Sequence, residues 1–174
     1  MTMILGTGDH TFELVANWPK LPSGFELGDC FGGVVDSKDR IYLSNRGPHP
    51  VVVLDTEGNL LSTWGEGLLK MPHGIAVGPD DSIYCTDLED GVVRKLTPEG
   101  KLLQTIGGES DRFSGKPFNR PSHLAVSPVS GDLFITDGYG NSRVHRYSAE
   151  GELKYSWGEA GTGKGEFVVP HNIV

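Results

Sequence analysis

Met71–Gly108 reads MPHGIAVGPDDSIYCTDLEDGVVRKLTPEGKLLQTIGG, and the way its apolar runs are punctuated decides the fold. Runs of three to five apolar residues alternate with Gly, Pro and Asp clusters, the pattern of short strands joined by tight turns. The same order of runs precedes it in Phe31–Gly65, FGGVVDSKDRIYLSNRGPHPVVVLDTEGNLLSTWG. There, four strands are expected at Gly33–Val35, Ile41–Ser44, Val51–Asp55 and Leu60–Trp64, with turns at SKD and TEGN. A third copy follows from Arg120, RPSHLAVSPVSGDLFITDGYGNSRVHRYSAEGELKYSWGE, and a fourth opens at Val169 with VPHNIV. The turns TEGNLL, PEGKLL and AEGELK, from Thr56, Pro98 and Ala149, align across the copies. A repeat of about 40 residues that encodes four strands is a propeller blade, because one small twisted sheet buries its faces only between neighbours.

Composition agrees with an ordered all-β domain. The chain has 174 residues, 37% hydrophobic and 22% charged, and its 25 glycines and 11 prolines fall between the apolar runs as turn residues. A formal net charge of −8 offers no broad basic surface, so nucleic acid is not an expected partner. No apolar run reaches the roughly eighteen residues that span a bilayer, and MTMILGTGDHTFEL lacks a basic segment followed by an apolar one. No membrane association is expected, and a cytoplasmic location fits the chain as written. Cys30 and Cys85 lack metal-site spacing and read as small buried hydrophobes.

The pattern P-x-G-[IL]-A-V at Pro72–Val77, with [IV]-[YF]-x-x-D at Ile83–Asp87 and a close variant at Leu133–Asp137, resembles the NHL type of propeller repeat. The resemblance implies a single partial β-propeller, with blades at about 31–65, 71–108 and 120–159 and the start of a further blade at 167–174. Residues 10–19, HTFELVANWP, read as an outer closing strand. Three blades do not close a ring. The expectation is therefore a fragment of a six-bladed parent, or an open half-ring whose raw edges drive self-association.

Residues that open the inner strands crowd the axis of a propeller, so separate blades can supply ligands to one atom. His73 and His171 each follow a proline at such an opening, and neutral imidazole is a common zinc ligand. Beyond the repeat, LSNRGPH at Leu43–His49, MPHGIAV at Met71–Val77, DGYGNSR at Asp137–Arg143 and VPH ending at His171 resemble, in order and spacing, the catalytic core of peptidyl-α-hydroxyglycine α-amidating lyases. These six-bladed enzymes cleave a peptidyl-α-hydroxyglycine to a peptide amide and glyoxylate. The resemblance implies that His73 and His171 are two of three zinc ligands, the third lying beyond Val174, that Tyr139 is the catalytic tyrosine, and that Arg46 is the active-site arginine. It also implies a structural calcium held by backbone carbonyls at Gly33 and Ile75. Asn141 and Arg143 are weaker candidates for substrate contact. Gly140 stands where animal members carry a disulfide-bonded cysteine.

Other polar residues read as structural. Asp87 and Asp137 end equivalent strands and are expected to cap turns. Trp64 and Trp157 are expected to pack between blades, His123 to be a hydrogen-bonded inner-strand residue, and His49, His10 and His145 to face solvent. The insertion at Asp111–Phe118 and the glycines of GTGKG at Gly161–Gly165 exceed minimal turns and are expected to line a mouth. Three functions fit this pattern: a zinc-dependent C–N lyase acting on a small molecule or peptide C-terminus, a non-catalytic NHL scaffold binding a protein or peptide, and a calcium-dependent propeller hydrolase or lactonase.

Overall fold

The computed structural model describes residues 3–108 and 116–174, and among these every regular element is a strand. Three four-stranded antiparallel sheets follow one another along the chain. The first comprises β3 (Cys30–Val35), β4 (Ile41–Asn45), β5 (Val51–Leu54) and β6 (Leu60–Trp64), and the second β7 (Pro72–Val77), β8 (Ile83–Asp87), β9 (Val92–Leu96) and β10 (Leu102–Gly107). The third comprises β11 (His123–Val126), β12 (Leu133–Asp137), β13 (Arg143–Tyr147) and β14 (Leu153–Trp157). Each sheet is a meander in chain order, and β3, β7 and β11 lie side by side on the inside. The array is a partial β-propeller, open at both ends.

Repetition extends below the level of strands. The ladder between the last two strands of every sheet slips at the same place, beside the pairs Leu54↔Leu60, Leu96↔Leu102 and Tyr147↔Leu153. The preceding turns place Gly58, Gly100 and Gly151 in the left-handed region at φ 85°, 84° and 87°, which a residue with a side chain adopts only at a cost. Each of these glycines also receives a side chain from the element before its blade. A Cβ would lie 2.7 Å from Trp18 at Gly58, 2.5 Å from Trp64 at Gly100 and 2.4 Å from Gln104 at Gly151. Turn and joint are thus one feature.

The core lies in the two gaps between sheets. Tyr42, Val53 and Trp64 of the first sheet meet Ile75, Ile83 and Leu96 of the second. On its other face, Tyr84, Val93 and Ile106 meet Leu124, Leu133 and Ile135 of the third. Each fully buried aliphatic side chain of this kind contributes about 1.5–3 kcal/mol. The second blade, covered on both faces, is the best buried, and every residue of β8 is inaccessible.

Several expectations need correcting. The strand anticipated over residues 10–19 is shorter: β2 (His10–Glu13) pairs with β1 (Ile4–Thr7) in an exposed hairpin, a partner absent from the sequence reading. Beyond it, Trp18 lies against the first blade, its Nε1 donating to the Thr56 carbonyl at 3.2 Å. Trp157 does not sit between blades. It is 36% exposed beside Tyr155, because no further sheet covers that face among the described residues. Residues 168–174 form no ladder there. Cys85 is buried as expected, whereas Cys30 is exposed, and both are free thiols. Of the insertion at Asp111–Phe118, positions 111–115 lie outside the described residues, and Phe118 is core rather than mouth.

Candidate active site

The site is built on the ends of the second strands. Asp137 closes β12, and its buried carboxylate accepts the Asn119 N–H at 2.9 and 3.0 Å and the Asn141 side-chain amide at 2.6 Å. Asp87 closes β8 and takes the N–H groups of Lys70 and Met71 at 2.7 and 3.3 Å. Both aspartates hold turns, and each also fixes the entry into its own inner strand. In the first blade the amide of Asn45 does this work, accepting from Gly28 N and donating to the His49 carbonyl, both at 2.8 Å.

The turn after Asp137 presents Tyr139, which is 42% exposed. Two glycines wedge this corner between other segments. A Cβ on Gly138 would fall 2.2 Å from the Pro170 carbonyl oxygen, and one on Gly140 would fall 2.2 Å from the Asn119 side chain. Ser142 adds a tie, its hydroxyl donating to the Val168 carbonyl at 3.0 Å. The Tyr139 turn and the Pro170–His171 step are therefore in direct contact.

His73 arrives from the neighbouring blade, on β7. Its Nδ1 lies 2.8 Å from the Ser122 carbonyl, which can only accept, so Nδ1 carries the proton and Nε2 presents a lone pair. Burial, aided by repulsion from any positive charge on the nearby His171, Arg46 and His123 side chains, outweighs the Ser122 bond and lowers its pKa to about 4, which keeps the ring neutral at physiological pH. Tyr139 Oη lies 3.1 Å from His73 Nε2 and 2.6 Å from His171 Nε2. Since His73 Nε2 must accept, the phenol donates to it and in turn accepts from His171. One oxygen thus joins two imidazoles that approach edge to face, with ring centroids 4.9 Å apart.

Arg46 flanks this group. Its Nε donates to the Pro72 carbonyl at 3.2 Å, and its Cζ lies 3.7 Å over the ring of Phe31, which itself contacts the His73 ring at 5.1 Å between centroids. The Nη2 of Arg46 is buried and has no hydrogen-bond partner among the described residues. A buried guanidinium N–H left unmade is costly, and a bound anion would satisfy it.

Below the mouth runs a cleft of roughly 440 Å³ lined by His73, His123 and His171 and by the backbone of the inner strands, including Gly33 and Ile75. None of its lining residues is acidic. His123 is hydrogen-bonded to the Ile173 backbone, as an inner-strand residue is expected to be, while its buried Nδ1 has no partner among the described residues; burial outweighs the Ile173 bond and lowers its pKa. Asn141 is engaged with Asp137, and Arg143 is exposed at the start of β13. His49 pairs with Glu66 at 2.7 Å. His145, expected at the surface, is buried, with Nδ1 2.7 Å from Ser156 Oγ and Nε2 3.3 Å from Asp137.

No group of three or more His, Cys, Asp or Glu side chains is arranged to hold a metal among the described residues. What the fold brings together is narrower: His73, His171 and Tyr139 around one point, with Arg46 beside them. Phe31, Ser122 and Arg120 also belong to the site and were missed from sequence. Their roles depend on contacts between blades, which a repeat pattern does not encode.

An NHL repeat model matches residues 118–147. Peptidyl-alpha-hydroxyglycine alpha-amidating lyase 1 of Drosophila melanogaster is 34% identical over 131 residues, covering 71% of this chain and 24% of the fly protein. Peptidyl-glycine alpha-amidating monooxygenase of Mus musculus is 29% identical over 95% of this chain and 20% of its own length. NHL repeat-containing protein 3 of Homo sapiens is 30% identical over 93% and 50%. The chain therefore spans between a fifth and half the length of these curated relatives. Among solved structures, the nidogen/laminin complex superposes with a TM-score of 0.69 at 16% identity, covering 95% of this chain and 56% of the other. A streptogramin B lyase gives 0.64 at 14%, covering 86% and 45%, and at such identities the two speak to fold alone. Repeat, blades and relatives together make this chain an NHL-repeat β-propeller, partial in extent, that resembles the peptidyl-α-hydroxyglycine α-amidating lyases.

Proposed function

We propose that the chain carries the core of a zinc-dependent C–N lyase that releases an amide and glyoxylate from an N-acyl-α-hydroxyglycine. The observation that carries this reading is the single Tyr139 oxygen within hydrogen-bond reach of Pro-His imidazoles from two different blades. The donor set fits a metal in part. His73 Nε2 is a desolvated, neutral nitrogen whose ring is oriented by the Ser122 carbonyl, the usual support of a metal-bound histidine, and His171 Nε2 points to the same place. These two nitrogens, with the His171 proton moved to Nδ1, would hold zinc with a third ligand not found among the described residues, and the ion would supply Lewis-acid polarisation of the substrate hydroxyl.

The remaining steps belong to side chains. Arg46, with its unpartnered Nη2, binds the substrate α-carboxylate and orients the α-carbon. Tyr139, as the phenolate, stands where it can take the hydroxyl proton as the C–N bond breaks and the C–O bond becomes a carbonyl. The electron pair of the broken bond leaves on the amide nitrogen, which accepts a proton, so the products balance as amide plus glyoxylate. A structural calcium at the Gly33 and Ile75 carbonyls would stiffen the inner strands below.

The intact parent protein, zinc-loaded and supplied with N-benzoyl-α-hydroxyglycine, is expected to release glyoxylate, and Tyr139→Phe to slow this by at least about 100-fold. Absence of glyoxylate from the zinc-loaded parent would remove the enzyme reading. It would leave the scaffold reading, which is supported by the two-nitrogen donor set. A calcium-dependent hydrolase needs carboxylates along the channel, and none lines it among the described residues.

A further inference from the structure

Arg120 was assigned nothing by the sequence, yet it occupies the open face of Tyr139. Its Cζ lies 5.3 Å from the Tyr139 ring centroid, and the residue is exposed. Its backbone adopts φ 68°, a left-handed conformation that a non-glycine residue takes at a cost and that marks positions whose surroundings enforce them. The enforcement is visible on both sides. Asn119 is pinned by Asp137 at 2.9 and 3.0 Å, and its side chain fills the space left by the missing Cβ of Gly140. Ser122, two residues after Arg120, donates its hydroxyl to the Pro170 carbonyl at 3.1 Å and accepts from His73 through its own carbonyl. The segment that orients His73 therefore also aims Arg120.

In a chain of net charge −8 with 23 acidic residues, Arg120 forms no ion pair among the described residues. Among the other arginines, Arg40 pairs with Asp36, Arg94 with Asp87 and Asp90, and Arg146 with Asp132, whereas Arg143, exposed at the start of β13, also forms no ion pair among the described residues but is not seated on Tyr139. Arg46 lies over Phe31, on the His73 side of the same histidine–tyrosine group, with a buried and unpartnered Nη2. Two guanidiniums at this group, one buried and one exposed, suit a ligand with two anionic groups.

We propose that Arg120 is a substrate-binding residue that selects peptides carrying an acidic side chain immediately before the terminal glycine unit. The inference rests on the reading of Arg46 as the clamp for the terminal carboxylate. With that carboxylate held at depth, the preceding side chain emerges at the mouth, over the exposed phenol ring. Arg120 then meets a Glu or Asp side chain there, in partial contact with solvent, and leaves neutral side chains unaffected. A guanidinium held over an aromatic face gives up less freedom on forming such a pair than a free one.

The test uses two stable, unhydroxylated probes, N-acetyl-Glu-Gly and N-acetyl-Gln-Gly, titrated calorimetrically into the whole chain. The acidic peptide is expected to bind about fivefold more tightly, the gap narrowing as salt is raised. In Arg120→Gln the gap should vanish while affinity for N-acetyl-Gln-Gly is retained, and Arg120→Lys should restore part of it. Arg46→Gln should weaken both peptides together. Equal affinities in the unmodified chain, or a gap that survives Arg120→Gln, would overturn the role of Arg120 and leave that of Arg46 standing. Failure of either peptide to bind at all would overturn both.

Discussion

Replacing Gly138 by alanine tests whether the tyrosine corner and the Pro170–His171 step are a single mechanical unit. The added Cβ would sit 2.2 Å from the Pro170 carbonyl oxygen, 2.9 Å from its carbon and 3.2 Å from its nitrogen. Contact between a carbon and a carbonyl oxygen settles near 3.3 Å, so the two segments must separate by about 1 Å. The obstacle is backbone on both sides, and no flexible side-chain end can swing away. The hydrogen bond of 2.6 Å between Tyr139 Oη and His171 Nε2 crosses the same gap and would be stretched past useful length. Overpacking of this kind costs about 1–3 kcal/mol, which in a domain of this size lowers Tm by roughly 2–4 °C per kcal/mol. A misplacement of 1 Å at a reacting centre costs on the order of 100-fold in rate. Calorimetric melting and glyoxylate release, measured side by side, should therefore both fall, and Gly138→Ser should behave like Gly138→Ala. If Gly138→Ala melts with the unmodified chain and retains its rate, the two segments are not coupled through this contact and the reasoning fails.

Two further outcomes follow from buried carboxylates. Asp87 is fully buried and accepts four backbone N–H groups and Arg94 Nη1, so Asp87→Ala should destabilise the chain by roughly 2–4 kcal/mol in urea unfolding by leaving buried N–H groups unpaired, while Arg94 keeps its pair with Asp90; a loss below about 1 kcal/mol would show the network to be dispensable. Burial works against the ionised form of Asp36, but its bonds from Arg40, Lys38 and Tyr42 outweigh this and hold its folded pKa below 3.8. Its contribution is thus complete above the unfolded value and lost as pH falls through the folded one. Urea midpoints taken from pH 6 down to pH 3 should fall more steeply for the unmodified chain than for Asp36→Asn, and parallel curves would refute the assignment.

The blades were legible because their signals are local. Alternating apolar runs, the TEGN-type turns and the spacing of Pro72-His73 and Pro170-His171 each sit within a few residues, and they locate the four strands of the first blade to within three residues of β3–β6. The nearness of Tyr139 to the two histidines was also within reach, because inner-strand openings share one axis. What stayed hidden depends on neighbours in space. The partner of β2 is a strand interrupted by Gly6, which shows no clean alternation. His145 looked like a surface residue because polar residues flank it, yet the third sheet turns it inward against Phe118 and Asp137. The exposure of Trp157 could not be read from its motif, which matches that of buried Trp64; the difference lies in what stands beyond each sheet.

The seat that each turn glycine makes for an aromatic or amide side chain gives the array a direction. Trp18 occupies the seat on the first blade, Trp64 that on the second and Gln104 that on the third, so every sheet is keyed to what precedes it in the chain. A nascent polypeptide therefore meets a finished template for each new module as it emerges, and lengthening at the carboxyl end disturbs nothing already laid down. Trimming at the amino end acts oppositely: removing the segment around Trp18 leaves the first module without its key, and the fault lies at the foundation of the stack.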